Sequence, residues 1–437
     1  MIPPDDDSLT PPPRRRWWHL ATVDVTPLRR HRDFRLLFIG RFVSFFGSMV
    51  SSVAFPYQVY QLTHSVLLVG VLGVLEFAAI LVFAFLGGAL ADARDRRSMV
   101  LASEAALMGC SLLLAGNAAL PTPQVWLLFL VATAWGVLDA IQRPSLDAML
   151  PRLVERDELA AAAALGSLRG TLGMILGPAL GGVLLAAFGL TVTYVFDVAS
   201  FVVGLACLWL MRAVPPPVDA ERPSLRRVVE GLRYARSRQE LIGTYAVDIV
   251  AMFFGMPFAL FPAIAQGLGG ARVLGLLYAA PAVGSFLFSA TSGWTNRVHR
   301  HGMGVTVAAT IWGLAIIGFG LAPGLWPSLF FLALAGAADM MSGVFRSVIW
   351  NQTIPDSLRG RLAGIEMISY TSGPALGNLE AGVVASLFSV RVSVVSGGVL
   401  CVVGCLLATI ALPLFRTYDA RLYHLAPEHV PDSVKPE

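Results

Sequence analysis

Charge is what this sequence most lacks. Asp, Glu, Lys and Arg make up 14% of its 437 residues, where soluble domains run near ~25%. Lysine is almost missing, with Lys435 alone among 32 basic residues. The seven histidines (His19, His31, His64, His299, His301, His424, His429) all avoid the deep parts of apolar runs. No H-E-x-x-H, G-x-S-x-G or G-x-x-x-x-G-K-[ST] stretch occurs, which removes zinc hydrolysis, serine hydrolysis and direct ATP drive. The chain is therefore not read as an enzyme, and no metal, cofactor or nucleic-acid partner is expected. Cysteine is also scarce: Cys110, Cys207, Cys401 and Cys405 sit inside apolar runs, without zinc spacing or a plausible disulfide partner. Residues 1–33, with Asp5–Asp7, Pro11–Pro13 and Arg14–Arg16, lack a signal-peptide core and read as a cytoplasmic tail.

Apolar residues fill the space that charge leaves. They are 56% of the chain, and the mean hydropathy is +0.69. A water-soluble globule of this size has no place to bury them. Twelve apolar segments can be drawn, near 36–61, 67–90, 100–120, 126–150, 159–188, 191–211, 241–266, 274–294, 305–321, 325–349, 363–388 and 392–415, each long enough for a spanning helix of ~20 residues. Loops after the odd-numbered segments hold only Arg272 and Arg391, while most other basic residues lie in the tails and the even loops. The positive-inside rule then places both termini in the cytoplasm of a multi-pass inner-membrane protein. The longest connection, 214–240, carries Pro215–Pro217 and five Arg from Arg226 to Arg238. It is expected to lie along the anionic inner leaflet. It separates a first bundle (34–213) from a second (241–415), with a tail at 416–437.

The two halves repeat each other. Gly70 and Gly88 bracket segment 2 as Gly275 and Gly293 bracket segment 8. Gly136 and Asp139 in segment 4 match Gly336 and Asp339 in segment 10. Phe45-Phe46-Gly47 followed by Phe55-Pro56 matches Phe253-Phe254-Gly255 followed by Phe261-Pro262. The pentapeptide Gly-Pro-Ala-Leu-Gly stands at Gly177–Gly181 and again at Gly373–Gly377. Duplicated six-helix bundles about an axis along the membrane normal form a large transporter architecture, with the substrate path between them.

Segment 5 holds the sharpest pattern, Gly173-x-x-x-Gly177-Pro178-x-x-Gly181-Gly182. Glycines four apart make a smooth stripe for a neighbouring backbone, and Pro178 removes one ladder bond and bends the helix. This pattern resembles, at every fixed position, the antiporter motif of the major facilitator superfamily. The loop Gly88-Ala89-Leu90-Ala91-Asp92-Ala93-Arg94-Asp95-Arg96-Arg97 resembles that superfamily's loop signature, departing at Ala93 and Asp95. The resemblance implies that Asp92 faces a helix N-terminus and that Arg96 or Arg97 pairs with an acid at the end of segment 4, for which Asp147 is the candidate. Gly88, Asp92, Arg96, Arg97, Asp147, Gly173, Gly177, Pro178, Gly181, Gly182, Gly373, Pro374 and Gly377 are thus expected to serve conformational gating. Gln352 to Arg361, Pro151 to Val154 and Asp197 to Phe201 are similar to the third drug:proton antiporter group, which includes enterobactin-exporter-like and macrolide-efflux-like proteins.

An ionisable side chain at membrane depth costs ~2.5–3.5 kcal/mol on the mildest scale. Glu76, midway along segment 2, has no basic residue within two turns on its own helix and is the first candidate for carrying a proton; Asp248 and Asp139 come next. Asp339 and Glu366 are expected at the substrate cavity, with Phe45, Phe46, Tyr57, Phe253 and Phe254 as an aromatic lining. Asp197 and Glu104 read as peripheral groups held by neighbouring helices. The resemblance implies an all-α exporter, expected as a monomer in membrane lipid, that moves a small amphipathic or hydrophobic compound (drug, siderophore or secondary metabolite) against protons. A lysophospholipid flippase or an uptake symporter on the same fold is the alternative.

Overall fold

A computed structural model describes residues 24–214 and 225–423; within α2, α6 and α11 the surroundings of some residues, Gly88 and Asp92 among them, also lie outside the described set. Among the described residues the chain is helical with no strand. The first half comprises α1 (Arg32–Thr63), α2 (Val66–Ala93), α3 (Arg96–Ala119), α4 (Val125–Leu153) and α5 (Leu159–Trp209). A short helix, α6 (Leu225–Ser237), follows. The second half has α7 (Gln239–Phe254), α8 (Ala271–Thr291), α9 (His301–Leu321), α10 (Leu325–Thr353), α11 (Asp356–Leu387) and α12 (Val390–Ala411).

Ten segments of the described residues are long and apolar enough to cross a membrane. One of these spans 54 residues, and it bends at Gly189, whose φ of 79° needs the freedom of glycine. Segments 5 and 6 of the sequence are thus the two arms of α5, turning without an intervening loop. Counting the arms separately and adding α11 gives the twelve spans that we propose. Large apolar side chains face outward all round, with Trp326 79%, Trp209 71% and Val82 70% exposed. Such a surface is at home in hydrocarbon.

Helix starts follow ordinary capping chemistry. Ser65 Oγ accepts from Leu68 N at the start of α2, and Asp95 Oδ1 accepts from Ser98 N at 2.8 Å at the start of α3. Asp95 also ties down the chain after α5, since Val214 N donates to its Oδ2 at 2.7 Å. Asp95 is where the loop departs from the superfamily glycine, and here it acts as a clasp. The matching loop of the second half is held differently: Ala420 N donates to the His299 carbonyl at 3.0 Å.

Two sequence expectations are corrected. Segment 7 was expected unbroken over 241–266, yet helix stops at Phe254, resumes as one 3-10 turn at Phe258–Leu260, and continues at Phe261–Leu268. Gly255 and Pro257 end it, and Asn378 Oδ1 accepts the freed Ala259 N–H at 2.8 Å. The linker also does more than rest on lipid. Tyr234 and Ala235 of α6 are buried against Leu241, Ile354, Leu358 and Leu362, and the Tyr234 hydroxyl donates to the Thr353 carbonyl at 2.6 Å. Its apolar face docks on the second half.

Candidate functional site

The glycine pattern of α5 serves two neighbours. Gly173, Gly177 and Gly181 face Phe45, Met49 and Val50 of α1, within the first half. Gly182 and the Pro178 carbonyl instead meet α8 of the second half at Gly275, and a Cβ on Gly182 would fall 2.8 Å from Gly275 Cα. The mirror crossing joins α2 to α11, where Gly70 lies against the backbone of Asn378 and Leu379 and Gly73 against Ala375. Gly373 and Gly377 pack on Met252 and Phe253 of α7. The small residues thus make two backbone-to-backbone seams between halves, both at the end opposite the linker. Toward the linker end, a Cβ on Gly166, Gly170 or Gly293 would meet nothing within 4 Å.

Between the halves lies a cavity of about 450 Å³, within the usual range for small-ligand sites. Its wall comes mostly from the first half, including Arg41, Phe45, Phe55, Glu76, Glu104, Trp135, Asp139, Gln142 and Phe201; Phe258, Tyr278 and Asn378 close it from the second. Helix contacts that the repeat foreshadowed set its depth. Gly136 lets α4 approach the backbone of α2 at Glu76, and Gly336 lets α10 approach that of α8 at Pro281.

Glu76 projects into this space and, among the described residues, has no hydrogen-bond or ion-pair partner. Asp139 shares the wall and reaches Arg143 at 4.0 Å with both side chains well exposed, a loose pair of small worth. Arg143 also stands 6.0 Å over the Tyr370 ring of α11. Asp248 is differently placed: it is buried and ion-paired with Arg346, whose other terminal nitrogen lies 3.9 Å from Asp339. Arg346 in turn stands over Trp350, and Trp350 Nε1 donates to Thr244 Oγ1 at 2.9 Å. Asp248 and Asp339 border a separate, smaller space.

The expected aromatic lining is not assembled in that form. Phe45 lines the cavity. Phe46 turns to Phe42 and Phe196 instead, Tyr57 Oη accepts from Gln61 Nε2, and Phe253 packs edge-on against Phe254. Glu366 is part-buried near Arg346 and outside the cavity wall. Glu104 is corrected from peripheral to cavity-lining: it is ion-paired with Arg41, accepts from Gln142 Nε2 at 3.0 Å, and leaves Oε2 unpartnered. The signal for that triad was an Arg and a Glu at similar depth in segments 1 and 3. Of the gating residues, Arg96 Nη1 donates to the Ala148 carbonyl at 3.0 Å, one residue past the exposed Asp147, and Arg97 donates to the Leu208 and Trp209 carbonyls. Gly88 and the Asp92 side chain lie outside the described set.

Comparison with known proteins gives a consistent picture. Residues 22–437 match a family described as transmembrane secretion effector. The chain is 30% identical over 387 residues to the enterobactin exporter EntS of Citrobacter koseri, covering 88% of this chain and 93% of that protein. It is 29% identical over 397 residues to the enterobactin exporter EntS of Shigella boydii serotype 4, covering 90% and 95%. Solved structures of similar fold include a bacterial homolog of the human lysosomal transporter Spinster, inward-facing and unoccupied, with TM-score 0.67 and 16% identity, covering 91% of this chain and 98% of that one. A bacterial homologue of the iron transporter ferroportin, inward-facing, has TM-score 0.66 and 14% identity, covering 88% and 99%. At such identities the structures speak for fold alone.

Proposed function

Because the chain belongs to the transmembrane secretion effector family, in the enterobactin-exporter-like group of the major facilitator superfamily, we propose that it is a proton-coupled exporter of a small amphipathic or hydrophobic compound. That it is an efflux transporter of the inner membrane, and not an enzyme, follows from the family itself. The observation that carries the coupling is Glu76, a carboxylate in the wall of the cavity between the halves that has no partner among the described residues. An acid so placed is stable at membrane depth when protonated and can lose its proton to whichever side the cavity opens.

With the linker and both tails on the cytoplasmic side, the closed Gly182–Gly275 and Gly70–Asn378 seams face outward and the cavity faces inward, a loading state. Substrate enters against Phe45, Phe55, Trp135 and Phe258, the halves rock, and Glu76 takes an external proton as substrate leaves. Across ~150 mV one inward proton supplies ~3.5 kcal/mol, sufficient for a gradient of a few hundred-fold. The paired Asp248 ranks behind Glu76 in this role, and Asp139 between them. A siderophore of the kind named for the relatives fits the amphipathic class and is the first compound to try.

The test is efflux from proteoliposomes under an imposed pH gradient. Wild type is expected to accelerate with an inward proton gradient, and Glu76→Gln to lose that acceleration, by ~10-fold or more, while still binding substrate. Glu76→Gln retaining full gradient-driven efflux would overturn the assignment; wild-type efflux indifferent to the gradient would overturn coupling.

A further inference from the structure

Asp197, on the second arm of α5, has no exposed surface and lies within the first half. Ser111 Oγ of α3 donates to its Oδ2 at 2.7 Å. Ser200 Oγ lies 3.4 Å from Oδ1 while donating to the Asp197 carbonyl at 2.7 Å. Ser51 of α1 faces the same carboxylate, is 2% exposed, and its hydroxyl makes no hydrogen bond of sound geometry. Gly47 opens the room for this cluster, since a Cβ there would stand 2.9 Å from Asp197 Oδ1 and nearer still to Ser200.

No basic side chain among the described residues pairs with Asp197. The titratable groups packed around it are Tyr194, whose hydroxyl donates to Gln58 Oε1 at 2.8 Å, and Glu104, whose charge is met by Arg41. Hydroxyl donors alone offset only part of the cost of burying a carboxylate without a cation, which favours a proton or a bound cation at the site. Its donors are all oxygen: two carboxylate atoms and three hydroxyls, a set suited to a hard cation. Among the described residues no group of three His, Cys, Asp or Glu is placed to hold a metal ion, so this cluster offers one carboxylate with hydroxyls and no more.

The cavity wall runs alongside the cluster. It includes Ser51 itself, Leu107 and Leu114, which flank Ser111 by one turn, and Phe201, next to Ser200. We propose that Asp197, Ser51, Ser111 and Ser200 form an exchangeable site for a monovalent cation, Na⁺ or H⁺, entered from the substrate cavity and separate from Glu76. The site joins α1, α3 and the second arm of α5. Its occupancy is therefore felt by α1, which carries Arg41 and Phe45 into the cavity wall. The inference concerns binding and stands whether or not Glu76 couples transport.

The test uses the full chain, purified in detergent, in a Glu76→Gln background so that the Glu76 proton is not counted. Thermal unfolding is followed as NaCl replaces choline chloride at constant ionic strength, and proton uptake is measured by titration. If Na⁺ is the occupant, sodium raises the unfolding temperature, Asp197→Asn abolishes the rise, and Ser111→Ala shifts the sodium midpoint several-fold upward. If the proton is the occupant, sodium has no effect, Asp197→Asn removes about one titrating proton per chain, and Ser111→Ala and Ser51→Ala move its midpoint. Should Asp197→Asn fail to fold, the two serine variants, which keep the carboxylate, carry the test alone. Sodium and proton curves of the serine variants superimposable on the parent would overturn the proposal.

Discussion

The two halves of the molecule share their helix contacts and differ in what those contacts enclose. Gly136 and Gly336 bring α4 to α2 and α10 to α8 in the same way. The Phe-Phe-Gly motif shows the divergence. At Gly47 the missing side chain admits Asp197 and Ser200, whereas at Gly255 the same vacancy receives the Trp312 indole. Downstream, α1 runs straight through Pro56 while α7 breaks before Pro262 and hands a backbone donor to Asn378. Asn378 stands where the first half has Gly182, four residues past the proline in each. A duplicated backbone has thus kept its close approaches and redistributed its polar groups. The cavity's carboxylates, Glu76, Glu104 and Asp139, all come from one half.

The comparison can be broken most severely at the buried ion pairs, one in each half. Asp248→Ala leaves the buried Arg346 only its longer contact with Asp339 and is expected to cost ~3 kcal/mol, seen as loss of folded, monodisperse protein; Asp248→Ala with Arg346→Met restores most of it. Arg41→Met is expected to cost less, because Gln142 still donates to Glu104. Next come the seams. Gly275→Val forces a side chain onto the Pro178 and Gly182 backbone, an overpacking of ~1–3 kcal/mol that falls on the outward-closed state. Transport is expected to drop ~10-fold with little change in unfolding temperature, and Gly70→Val at the mirror crossing should do the same. A seam variant with normal transport would show that the halves do not reopen there.

The clasps that tie each half's exit to its loop sharpen the contrast further. Asp95→Ala removes a helix cap and is expected to cost ~1 kcal/mol, measured by chemical unfolding, with faster hydrogen exchange at Val214. The second half should show no such effect at its loop, where a backbone bond from Ala420 does the holding. Beside it, the Asp419 carboxyl is held down at about 2 by its hydrogen bonds from Arg421, first from the side chain and then from the backbone. Its small contribution is therefore present above the ordinary carboxylate range and lost as pH falls toward about 2. The protection factor at Ala420, which corrects for the intrinsic pH dependence of amide exchange, should stay flat between about pH 5 and 8 and fall only in acid.

Much of the fold was legible because small residues answer a local demand. Gly173, Gly177 and Gly181 could be read as a stripe for a neighbouring backbone, and Gly70, Gly136, Gly275 and Gly336, legible as matching positions of the repeat, prove to be close backbone approaches too. Depth along the membrane was legible too, since charge ends the apolar segments. What sequence withheld was rotation about each helix axis. It could not say that Gly182 faces the other half while Gly181 faces α1, or that Phe46 points away from the space that Phe45 lines. The Arg41–Glu104–Gln142 triad draws on three helices, and only their packing brings it together. Glu76 emerged early because its isolation could be read along its own helix.

One consequence lies in the docking of α6. Val214 is clasped to the first half by Asp95, and α6 is fastened to the second through Tyr234. Each half thus holds one end of the connection, so any movement that parts the halves also parts Val214 from Tyr234.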